Sequence, residues 1–377
     1  MVSTQLVSSP LLLTLAYSFL FLLQTYPNSA SSLKKCNFPK IYSFGDSISD
    51  TGNFIRQKPI GPASVYARLP YGETFFKKAT GRCSNGRLMI DYIANASGLP
   101  FLNPYLEKDA NFTYGVNFAV AGATALSKEV LAKHHIVDTN TNSSLGVQLA
   151  WMSKYINSTC NKKKDSLEKQ RTSLFLLGEI GNNDYNFPIF EGITPQEIID
   201  LVPEVVAAII SGVRRLIIDY GAIRVVVPGI FPMGCSPIFL TIFKTNNSIA
   251  YDKHLCLKDL NSFTVYHNTK LQEAILELKR EHPDVIIVYA DYYHAYQWLL
   301  SHAVQLGFDG NSTQKACCGI GGDYNFNLTR MCGPEVPICP NPIRFISWDG
   351  IHLTQAAYIR IAKWLIYDLL PKLKCYN

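Results

Sequence analysis

Five short runs of apolar and β-branched residues recur along the chain, and each run ends in glycine, proline or polar residues. Runs of about four to eight such residues are typical of strands buried on both faces. Because stretches with helical periodicity separate the runs, the chain predicts an α/β architecture, an open parallel sheet with helices on both faces. The ligand crevice of such a sheet lies at the carboxyl ends of its strands. The predicted strands cover residues 40–44, 116–120, 174–177, 225–227 and 285–289.

Capping residues and apolar periodicity mark the helices between these strands. Thr194 begins a capping box, and we expect Pro203 to divide the following region into a short and a long helix that ends at Gly221. A second amphipathic helix is predicted over about residues 262–281, and Thr354 is placed to cap the last helix.

The first strand leads into Gly45-Asp46-Ser47. A serine at the point where a strand gives way to a helix has backbone N–H groups facing the space in front of it, and these stabilise a developing negative charge. A serine nucleophile needs this environment. Taken alone, the tripeptide is more often an ordinary turn. The proline- and glycine-rich residues 54–90 come next and predict a long loop that shapes a pocket.

Near the other end of the chain, Asp349 precedes His352 by three residues, with a glycine between them. The Asp349 carboxylate can turn back to accept the imidazole Nδ1 proton, which leaves Nε2 free to take a proton from Ser47. We therefore interpret the three residues as nucleophile, base and orienting acid. The alternative is a solvated turn whose histidine is incidental, with another base beside the serine. The other candidate bases are His254, His267 and His294.

Gly122 and Asn183 each follow a predicted strand, as Ser47 does, so all three are expected at the same edge of the sheet. The backbone N–H groups of Ser47 and Gly122 and the side-chain amide of Asn183 could then donate to the oxyanion of a tetrahedral intermediate. Considered one at a time, Gly122 is more often a close packing contact and Asn183 a loop cap. The convergence of all three favours acyl transfer.

Four blocks of sequence resemble the plant GDSL esterase/lipases, members of the SGNH hydrolase superfamily, in order and spacing over nearly the whole chain. Other segments, among them residues 227–235 and 289–293, resemble more narrowly the acetylajmalan esterase-like branch of that family. The four blocks are Phe44-Gly45-Asp46-Ser47, residues 117–123, residues 181–185 and Trp348-Asp349-Gly350-Ile351-His352.

The resemblance implies a flavodoxin-like three-layer α/β/α fold with a central parallel sheet. It also implies a serine carboxylic-ester hydrolase that acts through an acyl-serine intermediate on a small ester, such as an acetate of a plant alkaloid. It assigns Ser47 as nucleophile, Asp349 and His352 as the remaining catalytic pair, and Gly122 and Asn183 as oxyanion donors together with Ser47. An acyltransferase using the same acyl-serine is the alternative within the enzyme class. A ligand- or glycan-binding protein on the same fold is the non-enzyme alternative.

An apolar run at residues 11–23 followed by small residues at 29–31 predicts a secretory signal peptide over residues 1–30. We therefore expect an extracellular or vacuolar protein with a disulfide framework and N-linked glycans. The cysteines form an even set, whose pairing the sequence leaves open: 36, 83, 160, 235, 256, 317, 318, 332, 339 and 375. The predicted glycosylation sites are Asn95, Asn111, Asn142, Asn157, Asn246, Asn311 and Asn327.

Composition limits the remaining choices of domain and partner. A chain of 377 residues with 47% hydrophobic residues can bury a large core, and we expect residues 31–377 to form a single domain. The net charge is +6, but no long basic run with interleaved aromatic residues is present, which argues against nucleic acid as a partner. The cysteines lack the spacing of a zinc site, so we expect no metal and no cofactor. No stable membrane span is expected, and the oligomeric state is left open.

Overall fold

The computed structural model describes residues 33–137, 139–159, 164–194 and 196–375, apart from the side chains of residues 164–167. The signal peptide expected over residues 1–30 and the cysteine at position 160 lie outside the described residues. Among the described residues, no helix has the length and apolar character needed to cross a membrane.

The described chain contains one five-stranded sheet, in which every pairing is parallel and the strand order is β2-β1-β3-β4-β5. This confirms the predicted parallel α/β architecture. Only the second strand is clearly shorter than predicted. After Asn117 the chain bends, because the Asn117 Oδ1 accepts the backbone N–H of Ala119 at 2.9 Å. The strands are β1 (Ile41–Phe44), β2 (Gly115–Asn117), β3 (Leu174–Leu177), β4 (Arg224–Pro228) and β5 (Ile286–Ala290).

Eleven α-helices are present in the described part of the chain, together with several single 3₁₀ turns. The first is a single turn inside the loop predicted over residues 54–90. The helices are α1 (Ile60–Ala63), α2 (Met89–Ala96), α3 (Lys128–Lys133), α4 (Leu145–Thr159), α5 (Lys164–Arg171), α6 (Asn182–Phe190), α7 (Val202–Tyr220), α8 (Pro237–Ile242), α9 (Lys258–Glu281), α10 (Tyr292–Ser301) and α11 (Gln355–Lys372).

Alternate strand residues enter two separate apolar layers, as the two-residue period of a strand requires. Phe175 and Leu177 of β3 pack into one layer with the buried faces of α4, α7 and α9. Leu174 and Leu176 pack into the other layer with α2, α10 and α11. The sheet is therefore buried on both faces, and the architecture is the expected three-layer α/β/α arrangement.

The helix expected to begin at Thr194 is absent from the described residues. Thr194 and Glu197 do form one half of the capping box, in which the Thr194 backbone N–H donates to the Glu197 carboxylate at 2.8 Å. Behind it the chain makes only turns and a 3₁₀ turn, and the long helix α7 begins at Val202 with Pro203 in its first turn. Pro203 starts the helix because its fixed φ suits a first turn and no donor is lost there. Gly221 ends α7 with φ +65°, as predicted.

Four disulfides join eight of the ten cysteines. The Cys36–Cys375 bond links two positions 339 residues apart and thereby ties the two ends of the described chain together. The expected disulfide framework is therefore present, but it does not include Cys83, which is a buried free thiol. The remaining three bonds are Cys235–Cys256, Cys317–Cys339 and Cys318–Cys332.

Candidate active site

The turn at Gly45 carries the chain from the end of β1 to Ser47. Gly45 has φ +139°, and a Cβ at this position would lie 2.7 Å from the carbonyl oxygen of Glu179, so only glycine fits here. The side chain of Gln148 fixes the turn. Its Oε1 accepts the Gly45 N–H at 2.9 Å, and its Nε2 donates to the Gly45 carbonyl at 2.8 Å. Ser47 is thereby held, partly buried, at the carboxyl edge of the sheet.

Two buried aspartates hold the segment 121–126, which carries the predicted glycine donor. Asp50 Oδ2 accepts the first backbone N–H of this segment at 2.8 Å. Asp184 accepts the last two, at 2.8 and 2.9 Å. Because Asp50 follows Ser47 and Asp184 follows Asn183, these bonds fix three separate parts of the chain relative to one another. The sequence analysis missed both aspartates, although both lie beside its motifs.

Ser47, His352 and Asp349 meet at this edge, although 305 residues separate the serine from the histidine. His352 Nε2 lies 2.8 Å from Ser47 Oγ, and its Nδ1 lies 2.7 Å from Asp349 Oδ2. With the Nδ1 proton donated to the carboxylate, Nε2 presents a lone pair to the serine hydroxyl. The histidine and aspartate side chains are almost fully buried. This arrangement can transfer the hydroxyl proton and activate the serine oxygen for attack on an acyl carbon.

Asp349 receives several hydrogen bonds that fix its carboxylate. Its Oδ1 accepts the backbone N–H groups of Ile351 and His352 at 3.0 and 2.7 Å. Its Oδ2 accepts the Tyr71 hydroxyl at 2.8 Å in addition to the imidazole. Burial by itself raises the pKa of Asp349, but the His352 imidazole and the hydrogen bonds outweigh burial and lower the pKa below its ordinary value. The carboxylate is therefore ionised at neutral pH.

Tyr71 was not among the predicted site residues. It lies in the loop predicted over residues 54–90, and its buried ring packs edge-on against Trp348 and Tyr66, with ring centroids 6.2 and 5.0 Å away. Tyr66 in turn packs edge-on against the His352 ring at 5.9 Å. Tyr71 is 278 residues from Asp349 in the sequence, and no motif connects the two. The sequence analysis predicted only that this loop shapes a pocket, and it assigned no role to Tyr71.

The predicted oxyanion donors lie in the segments that follow β1, β2 and β3. In the described part of the chain, no acceptor reaches the backbone N–H of Ser47 or of Gly122. Gly122 has φ +79°, and a Cβ there would lie 2.8 Å from the Asn140 Cβ. Asn183 Nδ2 donates to the carbonyl of Ala123 at 3.0 Å and has a longer contact of 3.4 Å with the Asp46 carboxylate. Two unpaired backbone donors and one side-chain donor are thus available.

The three alternative bases lie elsewhere. His267 is buried beside a tyrosine hydroxyl 2.8 Å from its Nδ1, and burial lowers its pKa to about 3. His254 Nε2 lies 3.1 Å from the hydroxyl of a serine on α10. His294 is exposed and pairs with Asp291. Among the described contacts only His352 reaches the Ser47 hydroxyl.

Comparison with known proteins identifies the family. A family model described as "GDSL-like Lipase/Acylhydrolase" matches residues 41–365. The chain belongs to this family. An acetylajmalan esterase of Rauvolfia serpentina is 46% identical over 344 residues, which cover 90% of this chain and 88% of the relative. A GDSL esterase/lipase of Arabidopsis thaliana is 45% identical over 356 residues, which cover 93% of this chain and 89% of that relative. The resemblance is confirmed, and the protein is a carboxylic-ester hydrolase.

The esterase has a cleft of about 40 Å³ beside Ser47. Half of its fourteen lining residues are apolar: Ile48, Phe190, Phe231, Met233, Ile238, Phe239 and Ile351. Asp46 and Glu179 contribute carboxyl groups to the lining, and three asparagines of α6 contribute amide groups. No group of three or more His, Cys, Asp or Glu in the described residues has a geometry suited to a metal ion. The cleft is thus small, and its lining is half apolar and half polar.

The Tyr71 hydroxyl is expected to act on esterase turnover through Asp349. In Tyr71→Phe the carboxylate loses a donor, so its pKa rises, and its orientation toward the imidazole is less firmly fixed. We expect kcat to fall about tenfold with little change in KM, and the acid limb of the pH–rate profile to move to higher pH. Tyr66→Phe is the matched control, because its ring contact with His352 persists and its hydroxyl bonds to none of the described residues. An unshifted acid limb in Tyr71→Phe would contradict this positioning role.

The asparagines of the predicted glycosylation sites are all exposed, including the two that lie on helices α2 and α4. Glycans at these positions would extend into solvent without displacing core residues. Glycosylation itself stays a prediction.

Proposed function

We propose that this protein is a secreted serine esterase in which Ser47, His352 and Asp349 form the catalytic triad. The observation that carries the proposal is the unbroken chain of contacts from Ser47 Oγ through His352 to Asp349, at 2.8 and 2.7 Å. The serine oxygen bonds to the ester carbonyl carbon while its proton passes to Nε2. The carbon–oxygen bond to the alcohol then breaks, and the alcohol oxygen takes the proton from Nε2. Water repeats the sequence and releases the acid from the acyl-serine.

The oxyanion of each tetrahedral intermediate is assigned to the backbone N–H groups of Ser47 and Gly122 and to Asn183 Nδ2. The unpaired state of both N–H groups supports this, because preorganised donors need no rearrangement as charge develops. Asn183 can keep its 3.0 Å bond to Ala123, because its second N–H makes only a long 3.4 Å contact with Asp46 and can donate to the oxyanion instead. Loss of one such donor typically costs about 3 kcal/mol in the barrier.

We propose a small ester with a short acyl group, such as an acetate of a plant specialised metabolite, as substrate. The small cleft beside Ser47 supports a short acyl group, and the 46% identity to acetylajmalan esterases supports an acetate. The exposed sequons and the four disulfides support passage through the secretory pathway, with residues 1–30 as the cleaved signal and residues 31–377 as a single domain. The final compartment would then be extracellular or vacuolar.

A substrate comparison tests this function. Glycosylated protein purified from a plant secretory host is assayed against acetyl, long-chain acyl and phenolic-acid esters of one alcohol. We expect kcat/KM for the acetyl ester to exceed that for the long-chain ester at least about tenfold, since each methylene that does not fit costs binding. Product analysis with and without an added acceptor alcohol separates hydrolysis from acyl transfer. A preference for the long-chain ester would contradict the short-acyl proposal.

A further inference from the structure

The carboxyl group of Glu179 has no role in the mechanism above, yet it lines the cleft beside Ser47. Its side chain is 1% exposed, and the backbone N–H of Phe231 lies near the carboxyl group, but neither carboxyl oxygen makes a hydrogen bond of ordinary geometry within the described part of the chain. A buried carboxyl group without partners is costly, and such a group is normally paired or hydrogen-bonded. Glu179 therefore lies in the wall of the cleft with two buried carboxyl oxygens that lack hydrogen-bond partners.

Two asparagines of the same cleft also present unused acceptors. Asn182 and Asn186 lie four residues apart on α6, hence on one face of the helix, and both line the cleft. The Oδ1 atom of each is buried and has no hydrogen-bond donor among the described residues. Acceptors without donors on this side of the cleft match a ligand that brings N–H groups.

The charge of the cleft is also one-sided. Of the described residues that line it, the ionisable ones are Asp46 and Glu179, and none is lysine, arginine or histidine. The chain as a whole has a net charge of +6, so the acidic character is local to the cleft. The His352 imidazole acts electrostatically on Asp46, but no basic residue of the lining offsets Glu179, so the cleft attracts a cation.

The aromatic residues that line the same cleft favour an organic cation over a metal ion. Phe231, Phe239 and Phe190 supply aromatic surface, and Phe190 stacks on Phe239 with ring centroids 5.9 Å apart. Calcium and magnesium need shells of oxygen ligands, which an aromatic wall cannot provide. An ammonium group with carbon substituents gains from both surfaces, since its N–H reaches the acceptors and its alkyl groups contact the aromatic faces.

From these observations we infer that Glu179 is the specificity-determining residue for a substrate ammonium group, so that this esterase favours esters that carry a protonated amine. The ammonium N–H donates to the Glu179 carboxylate, with the Oδ1 atoms of Asn182 and Asn186 as further acceptors. The inference rests on the proposed function, because it takes Ser47 as the reacting group and places the amine in the cleft beside it.

The protonation behaviour of the carboxyl pair is compatible with this assignment. Burial raises the pKa of Glu179 well above its ordinary value, the neighbouring Asp46 raises it further, and the backbone of Phe231 partly opposes both. Burial also raises the pKa of Asp46, to about 7. In the free enzyme the pair keeps a proton, because two adjacent buried carboxylates repel each other. A bound ammonium supplies the positive charge that lets both ionise.

Matched substrates test the inference. 2-(Dimethylamino)ethyl acetate carries the amine on the alcohol side, and 3-methylbutyl acetate is its uncharged isostere. Ethyl 4-(dimethylamino)butanoate and ethyl 5-methylhexanoate are the same comparison on the acyl side. Near neutral pH we expect the wild-type enzyme to favour the amine of at least one pair about tenfold or more in kcat/KM. Glu179→Gln should bring that ratio close to one. Glu191→Gln should not, because it removes the same charge from an exposed position just beyond α6.

No preference in either wild-type pair would overturn the inference, and so would a preference that survives Glu179→Gln. If Glu179→Gln does not fold, inhibition of the wild-type enzyme by the two alcohols tests the inference instead. Protonated 2-(dimethylamino)ethanol should then inhibit hydrolysis of the neutral ester at least about tenfold more strongly than 3-methylbutanol, and equal inhibition would overturn the inference. Failure of the proposed function gives a different result, namely hydrolysis of the neutral ester that does not require Ser47.

Discussion

Ser47→Ala is expected to lower kcat for ester hydrolysis by at least about 10⁴-fold, the size of effect seen when a triad nucleophile is removed. The reason is chemical, because no other hydroxyl among the described contacts is paired with the His352 imidazole. The fold should survive, since Ser47 is only partly buried and its side chain hydrogen-bonds to His352. Initial rates with an aryl acetate and the thermal midpoint together check the prediction. We expect the midpoint to stay within about 3 °C of wild type.

The matched control is Ser49→Ala, two residues further along the same loop. The Ser49 hydroxyl donates to the backbone carbonyl of Gly178 at 3.4 Å and is not a partner of the imidazole among the described contacts. Ser49→Ala should therefore keep most of the activity. A phosphonate that labels active serines should modify wild type at Ser47 and leave Ser47→Ala unlabelled, as read by mass spectrometry of the peptides. Wild-type-like turnover in Ser47→Ala would remove this residue from its proposed role.

The sheet was predictable because its signals are local. Every strand except the short β2 is a mainly apolar run that leads into small or polar residues, and a parallel sheet places all such ends at one edge. That rule alone brings the segments carrying Ser47, Gly122 and Asn183 together. His352 follows no strand, so its approach to Ser47 was inferred from its spacing to Asp349 and from the family resemblance.

Contacts between loops were not predictable, because they have no period and no fixed spacing. Tyr71 reaches Asp349 from a loop 278 residues away, and an identical tyrosine in any other loop would look the same in the sequence. The unpaired state of Glu179 is likewise a property of its surroundings. The region after Thr194 shows that a local signal can also mislead. Thr194 and Glu197 form their hydrogen bond, but the helix that such a bond usually begins is absent from the described residues.

Asp349→Asn is expected to lower kcat about 10⁴-fold while leaving the protein folded, because the exchange forces the wrong imidazole tautomer. The two backbone N–H groups that bond Oδ1 require an oxygen there, so the amide nitrogen takes the place of Oδ2. It then donates to His352 Nδ1, which must become an acceptor. The proton moves to Nε2, which faces Ser47 Oγ at 2.8 Å and can no longer accept the hydroxyl proton. The Tyr71 hydroxyl also loses its acceptor and has to turn.

A second Asp–His pair in the same chain provides the control for this argument. Asp291 and His294 have the same spacing of three residues and the same 2.7 Å distance from carboxylate to Nδ1, but their histidine is exposed. Asp291→Asn changes the same chemical group at a place where the imidazole exchanges protons freely with water, so kcat should stay within about twofold of wild type. Nitrogen-15 NMR of the imidazole should report an Nε2-protonated His352 in Asp349→Asn and an Nδ1-protonated one in wild type. An Asp349→Asn variant with wild-type kcat would show that tautomer control is not what Asp349 contributes.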